Sequence, residues 1–305
     1  MRKSVNVKAR LVSWFGVVCC VWLLQFLAAE EGQGQKSAST PRLAEHLRWA
    51  LAHPQERPPN ELLLRVRPED KNWLLGRFHR CSLPMDKVPY AWLLAYIGDD
   101  EGSRALEATF RGKPGEPRFE FDEMNGFLSM IQAMGVMAQT NQAAFDFLKK
   151  AIRPEWWRKE RKWRVKEDEP AVTPMLVAKA MAALGLTGRK EAEEMVLELR
   201  RDERRYVFPE DPKRFAHFRT GIYMAKLYLE VSKRMGLRAF REGLFGPEFK
   251  RLSLAWRLSP EGLEWLEWKS PKEHVPWIWK DITNYCYLAE YGRMARPPPT
   301  AEEPK

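Results

Sequence analysis

The densest cluster of chemistry-bearing side chains is Asp99-Asp100-Glu101, set between Gly98 and Gly102 at the end of the apolar run WLLAYI. Three adjacent carboxylates suit a hard cation, which takes several oxygen ligands, or acid–base work. The spacing argues against a calcium loop of the EF-hand type, which needs acids at alternating positions and a distal Glu. A turn explains the same residues directly. Gly98 supplies positive φ at a helix C-terminus, and Asp99 or Asp100 caps the next helix, whose N-terminal dipole favours negative charge. The turn is the expectation here, with no metal and no cofactor.

A second candidate lies near the C-terminus. Glu261 and Glu264 share a helix face, as do Trp265 and Trp268. Paired carboxylates beside an aromatic platform are what a glycan-cleaving cleft uses. Large aromatics also seal the end of a helical core, and that reading is preferred. A third candidate is RPEWWRKERKWRVKEDE, Arg153–Glu169. Trp156, Trp157 and Trp163 alternate there with Arg158, Lys159, Arg161, Lys162 and Arg164. Basic residues among aromatics can hold single-stranded nucleic acid, an anionic membrane surface, an anionic envelope polymer or a protein partner. A solvated helix with docked tryptophans is the plainer alternative.

Other chemistry finds no motif. His46, His53, His79, His217 and His274 form no zinc-like pair with one another or with Cys. No Walker loop, Gly-x-Gly-x-x-Gly or Gly-x-Ser-x-Gly is present. No catalytic residue is assigned.

The N-terminus fixes where these candidates would act. MRKSVNVKAR is basic, Leu11–Ala29 is uncharged, and EEGQGQ then turns polar. At about 1.5 Å per residue the run reaches roughly 28 Å, close to a bilayer core. The small-residue spacing for signal cleavage is poor. The expectation is an uncleaved signal-anchor transmembrane segment, with a cleaved signal peptide as the alternative. The positive-inside rule puts the body outside the cytoplasm in both cases. Such a body does not meet nucleic acid, so none is expected as a partner. Arg2, Lys3, Lys8 and Arg10 precede the run, so the net charge of +10 falls to +6 once they are set aside. That bias favours anionic partners weakly. Of four cysteines, only Cys81 and Cys286 lie in the body. They are read as two buried thiols, with pairing as the alternative in an oxidising compartment.

The elements positioning the candidates read as helices throughout, since apolar residues recur at three and four. Thr40-Pro41, Asp122, Asn141, Thr173-Pro174 and Ser259-Pro260 are expected helix starts, each offering a capping acceptor. ELLLRVRP, from Glu61, is unassigned.

Three segments align: WLLAYIGDDEGSRALEATF (92–110), MIQAMGVMAQTNQAAFDFL (130–148) and MAALGLTGRKEAEEMVLEL (181–199). In each, an apolar helix runs into a glycine (Gly98, Gly135 or Gly185) before a short polar segment and a second helix. A looser copy surrounds Gly236. Only the first copy has acids after its glycine, which excludes chemistry shared across the copies. The pattern resembles the HEAT repeat and the HEAT-like repeats related to phycobilisome lyases. The resemblance covers about Val88–Arg201 and extends loosely to Gly243. It implies stacked helix pairs in an α-solenoid and a style of binding, without implying a reaction.

The expectation is therefore an all-α protein: a signal or anchor at 1–29, a linker and first helix at 30–60, HEAT-like repeats at 61–295 and a loose tail at 296–305. Its expected role is a non-catalytic scaffold for a protein or peptide partner. A helical enzyme on an envelope glycan, using C-terminal Glu and Trp, is one alternative. Attachment to an anionic surface through 153–166 is the other.

Overall fold

A computed structural model describes residues 41–53, 56–111, 124–160, 169–202 and 212–269. Leu11–Ala29, Asp122, residues 161–168 (with Arg161, Lys162, Trp163 and Arg164), Cys286 and the tail lie outside these. Two units divide the chain, Met1–Glu45 and His46–Lys305. Of the first, only Pro41–Glu45, the start of a helix, is described; the hydrophobic core lies in the second.

The described residues are helical and contain no strand. In chain order they form α1 (Pro41–Ala52), α2 (Asn60–Leu63), α3 (Lys71–Arg80), α4 (Val88–Ile97) and α5 (Asp100–Arg111). Next come α6 (Met124–Met137), α7 (Gln142–Ala151), α8 (Pro154–Glu160), α9 (Glu169–Leu186) and α10 (Lys190–Arg201). The series ends with α11 (Pro212–Met235), α12 (Leu237–Glu242), α13 (Pro247–Arg257) and α14 (Pro260–Lys269). The unassigned ELLLRVRP becomes one turn of α2 and a 3₁₀ turn, Pro68–Asp70.

Composition separates two kinds of helix. α4, α6 and α9 are apolar nearly all round, and most of their described side chains are buried. An all-round apolar helix is a core helix. These three and α11 pack in sequence, α4 on α6, α6 on α9 and α9 on α11. By contrast α5, α7 and α10 are amphipathic, with one apolar stripe and one charged face. Each follows a core helix through a short turn and packs against it.

Small residues let the core helices approach closely. A Cβ added at Gly185 would stand 2.2 Å from the Ala225 carbonyl oxygen, and one at Gly221 would stand 2.4 Å from that of Ala178. Both contacts advance with the sequence, so α9 and α11 run parallel. A Cβ at Gly135 would stand 2.6 Å from the Ala183 carbonyl oxygen. This corrects the expectation that Gly135 and Gly185 make turns. Both lie in the last turn of a helix, and their missing side chains let the next helix in. Gly98 is a turn glycine as expected, left-handed at φ 77°.

Two further points concern helix starts. Asn141 caps α7 as expected, its Oδ1 accepting from the Ala144 amide at 2.8 Å. Thr173-Pro174 does not open a helix: α9 begins at Glu169 and carries Pro174 inside. Thr173 and Pro174 are both buried. A proline this near the start removes one backbone bond, and core packing of the surrounding turn outweighs that loss.

Candidate functional site

The basic tryptophan stretch divides by residue. α8 starts immediately after α7, and its two tryptophans lie against the core. Trp157 is fully buried and donates from Nε1 to the Ala151 carbonyl at 2.7 Å. It meets Phe110 edge-on at 6.1 Å, and Phe110 stacks on Phe147 at 4.9 Å. Trp156 is half-buried, edge-on to Phe147 at 5.4 Å and to Trp157 at 4.8 Å. Trp157 is thus a core residue, which corrects its assignment to a binding surface, and Trp156 keeps a face outward. Arg158 and Lys159 are exposed.

Trp156 borders an open groove of about 850 Å³. Asp146, Lys149 and Lys150 of α7, Arg153 of the turn and Glu155 of α8 supply the rest of its lining. The groove's charges are partly committed. Lys149 bridges Asp146 at 2.7 Å and Glu191 at 3.4 Å, and Lys150 reaches Glu107 at 3.6 Å. The hydrogen bond from Lys149 holds the Asp146 carboxyl below its ordinary value. The Arg153 guanidinium has no ion pair among the described residues. Chemically the groove offers an aromatic face and a fork of donors without an ion pair among the described residues, a combination suited to a carboxylate on a peptide. The sequence reading missed Asp146, Lys149 and Lys150 as groove residues, while Arg153 opens the stretch it singled out. The signal was present as paired lysines ending one helix directly before a proline-started helix.

The C-terminal candidate proves structural. Trp265 is buried and meets Trp268 edge-on at 5.7 Å. The Arg200 guanidinium lies 4.1 Å from the Trp265 ring centroid, and Arg219 donates to the Trp268 carbonyl at 3.0 Å. Stacked guanidinium and indole form a cation–π contact. Trp265 is therefore a core residue, as the preferred reading has it, and leaves the candidate binding surface, while Trp268 stays half-buried. Glu261 and Glu264 face solvent and are engaged by cations, Glu261 by Lys226 at 2.9 Å and Glu264 by Arg200 at 2.6 Å. A glycosidase needs two carboxyls converging in a pocket across the scissile bond, and these two do not form one.

The acidic elbow is occupied by its neighbours. Asp99 Oδ1 accepts from the Gly102 amide at 2.9 Å and so caps α5. Lys71 bridges Asp99 at 3.2 Å and Glu101 at 2.9 Å. Asn141, at the next turn, donates to Asp100 at 2.7 Å and to the Gly98 carbonyl at 3.3 Å. Gln139 continues the series, donating to the Leu186 carbonyl at 2.9 Å at the turn after that. A ladder of amide side chains thus joins successive turns. Among the described residues no group of three or more His, Cys, Asp and Glu is placed to hold a metal ion.

The remaining cysteine with a described position, Cys81, points its thiol at the Arg77 carbonyl at 3.3 Å. Burial pushes this thiol up from its ordinary value. No helix among the described residues is long and apolar enough to cross a membrane. No protein-family model, curated protein or solved structure matches the chain.

Proposed function

We propose that the chain is a non-catalytic binding module whose helix pairs are turns of an α-solenoid, tethered at a membrane by Leu11–Ala29. The parallel course of α9 and α11 and the amide ladder between successive turns support the solenoid, because stacked repeats repeat their direction. The tether rests on the length and apolar character of the run.

The partner is an acidic segment of another protein, received by the groove at the α7–α8 junction. The observation that carries this is Arg153, which stands without an ion pair among the described residues beside the outward face of Trp156. Aromatic and arginine side chains together are the usual anchors of an interface. Exposed Arg158 and Lys159 extend the positive charge beyond the groove.

A photo-crosslinking residue at Arg153 or Lys159, in native membranes, tests the proposal against the same residue at exposed Arg238. A discrete protein adduct at the first two positions and none at Arg238 is the expected result. Equal adducts at all three, or lipid adducts alone, overturn it. Carbonate extraction tests the tether: release of the full chain into the soluble fraction removes it.

A further inference from the structure

A second opening lies where α11 meets α13. Its volume is about 250 Å³. Leu227, Tyr228 and Phe249 contribute buried surface to it, and Phe245 contributes a half-buried ring. At roughly 30 Å³ per water-sized group, this is space for about eight heavy atoms in a row.

Three features distinguish it from a packing gap. First, its exposed lining residues are Lys250, Leu254 and Arg257, with no acid in the lining. Two cations on the neighbouring surface, Lys226 and Arg251, pair with carboxylates. Lys250 and Arg257 have no ion pair among the described residues. The nearby acids Glu248 and Glu261 are engaged by Arg251 and Lys226. Second, Ser253 in the lining has a buried hydroxyl with no hydrogen-bond partner among the described residues. Third, Phe245 is held at φ 62°, a left-handed conformation that bulky residues rarely adopt and that favours functional positions. Its ring is kept there by Phe249 at 5.1 Å and by the Arg57 guanidinium at 5.5 Å.

We infer that this opening binds a free medium-chain carboxylate, its apolar tail among Leu227, Tyr228, Phe245 and Phe249 and its anionic head at Lys250 and Arg257. Apolar walls with a few polar groups are the general form of a small-molecule site, and two cations without an ion pair among the described residues select an anionic head. Leu254, 38% exposed, stands at the entrance, so access needs no opening of the core. The site is separate from the α7–α8 groove, and each can fail without the other.

The test uses the full chain in phosphatidylcholine nanodiscs and a diazirine-bearing octanoic acid, with labelled peptides mapped by mass spectrometry. Mapping separates this site from apolar labelling at Leu11–Ala29. The expected label falls on Leu227–Tyr228 and Phe249–Arg257 and is competed by octanoate. The corresponding alcohol and amine label these peptides at least fivefold less. Leu254→Trp, which fills the entrance, and Lys250→Glu, at an exposed position, each reduce labelling at least fivefold with unchanged circular dichroism. Equal labelling by acid and alcohol, label confined to other peptides, or indifference to both substitutions overturns the proposal. So does loss of label only when phosphatidylglycerol replaces phosphatidylcholine, which makes a lipid chain the occupant.

Discussion

Tyr96 and Arg241, 145 residues apart, hold each other twice. The Tyr96 hydroxyl donates to the Arg241 carbonyl at 2.8 Å, and Arg241 Nη2 donates to the Tyr96 carbonyl at 2.7 Å. Arg241 Nη2 also reaches the Ala95 carbonyl at 3.3 Å. These carbonyls belong to the last turn of α4, where backbone acceptors lack helical partners and a cation complements the dipole. The clasp therefore draws α12 onto the C-terminal end of α4. Burial lowers the basicity of Arg241 and raises the Tyr96 pKa.

Removing the tyrosine hydroxyl is expected to cost about 1 kcal/mol, the usual net worth of one hydrogen bond. Arg241→Ala strands two carbonyls and is expected to cost roughly 2–3 kcal/mol. The two losses should not add, because they share partners. Urea denaturation of Tyr96→Phe, Arg241→Ala and the double variant measures this. Strict additivity would show the clasp to be two independent contacts.

Glycines at different positions should respond oppositely to alanine. Gly185→Ala sets a methyl against the Ala225 carbonyl with no room to relax, and overpacking typically costs about 1–3 kcal/mol. Gly76 lies inside α3 with nothing within 4 Å of its added Cβ. Gly76→Ala is expected to gain up to about 1 kcal/mol through helix propensity. Thermal melts of both variants check the pair, and a destabilised Gly76→Ala would refute the assignment.

These glycines also show what the sequence could express. The helices, the caps at Asn141 and Ser259 and the Gly98 turn rest on neighbours in the chain, so local pattern reveals them. Gly135 and Gly185 look like turn glycines because each is followed closely by polar residues. Their real partners, Ala183 and Ala225, are fixed by the crossing of two helices, which no local spacing records. The groove was half legible: its tryptophan stood out, while Lys149 and Lys150 read as an ordinary charged helix end. The Tyr96–Arg241 clasp left no trace in pattern, because nothing local pairs residues so far apart.

Trp156 and Trp157 are adjacent and should behave differently. Trp157→Ala empties a fully buried site and loses the bond to Ala151, for which about 3–5 kcal/mol is expected. Trp156→Ala removes a half-buried ring and should cost about half as much, while reducing crosslinking at Arg153. Denaturation midpoints of the two variants decide this. Equal losses would place Trp156 in the core and remove it from the groove.

Cys81 should be a poor nucleophile. Thiolate is the reactive form, and burial disfavours it here. Alkylation by iodoacetamide at pH 8, followed at the Cys81 peptide by mass spectrometry, is expected to run at least tenfold slower in the native protein than in urea. Equal rates would show the thiol to be open to solvent.

Lys226 supplies the last expectation, through its dependence on pH. The residue is 6% exposed, and its ammonium meets Glu230 at 2.7 Å and Glu261 at 2.9 Å. Burial pushes Glu230 up, but hydrogen bonds from Lys226 and Lys233 outweigh it, and its pKa lies below the ordinary value. A depressed folded pKa contributes stability that is present above the unfolded value, about 4.3. That stability is lost as pH falls through the folded value. For Lys226, burial is likewise outweighed by its carboxylate partners, and its pKa is raised. Its contribution is therefore present below about 10.4 and lost as pH rises through the folded value. Lys226→Met is thus expected to cost about 1–2 kcal/mol at pH 7, since Glu261 is largely exposed. At pH 3, below the unfolded carboxylate value, part of this contribution is already gone and the cost should shrink. Urea midpoints of wild type and variant at both pH values provide the comparison. A loss of the same size at pH 3 would mean that Lys226 acts through its aliphatic packing near Trp265 and not through its charge.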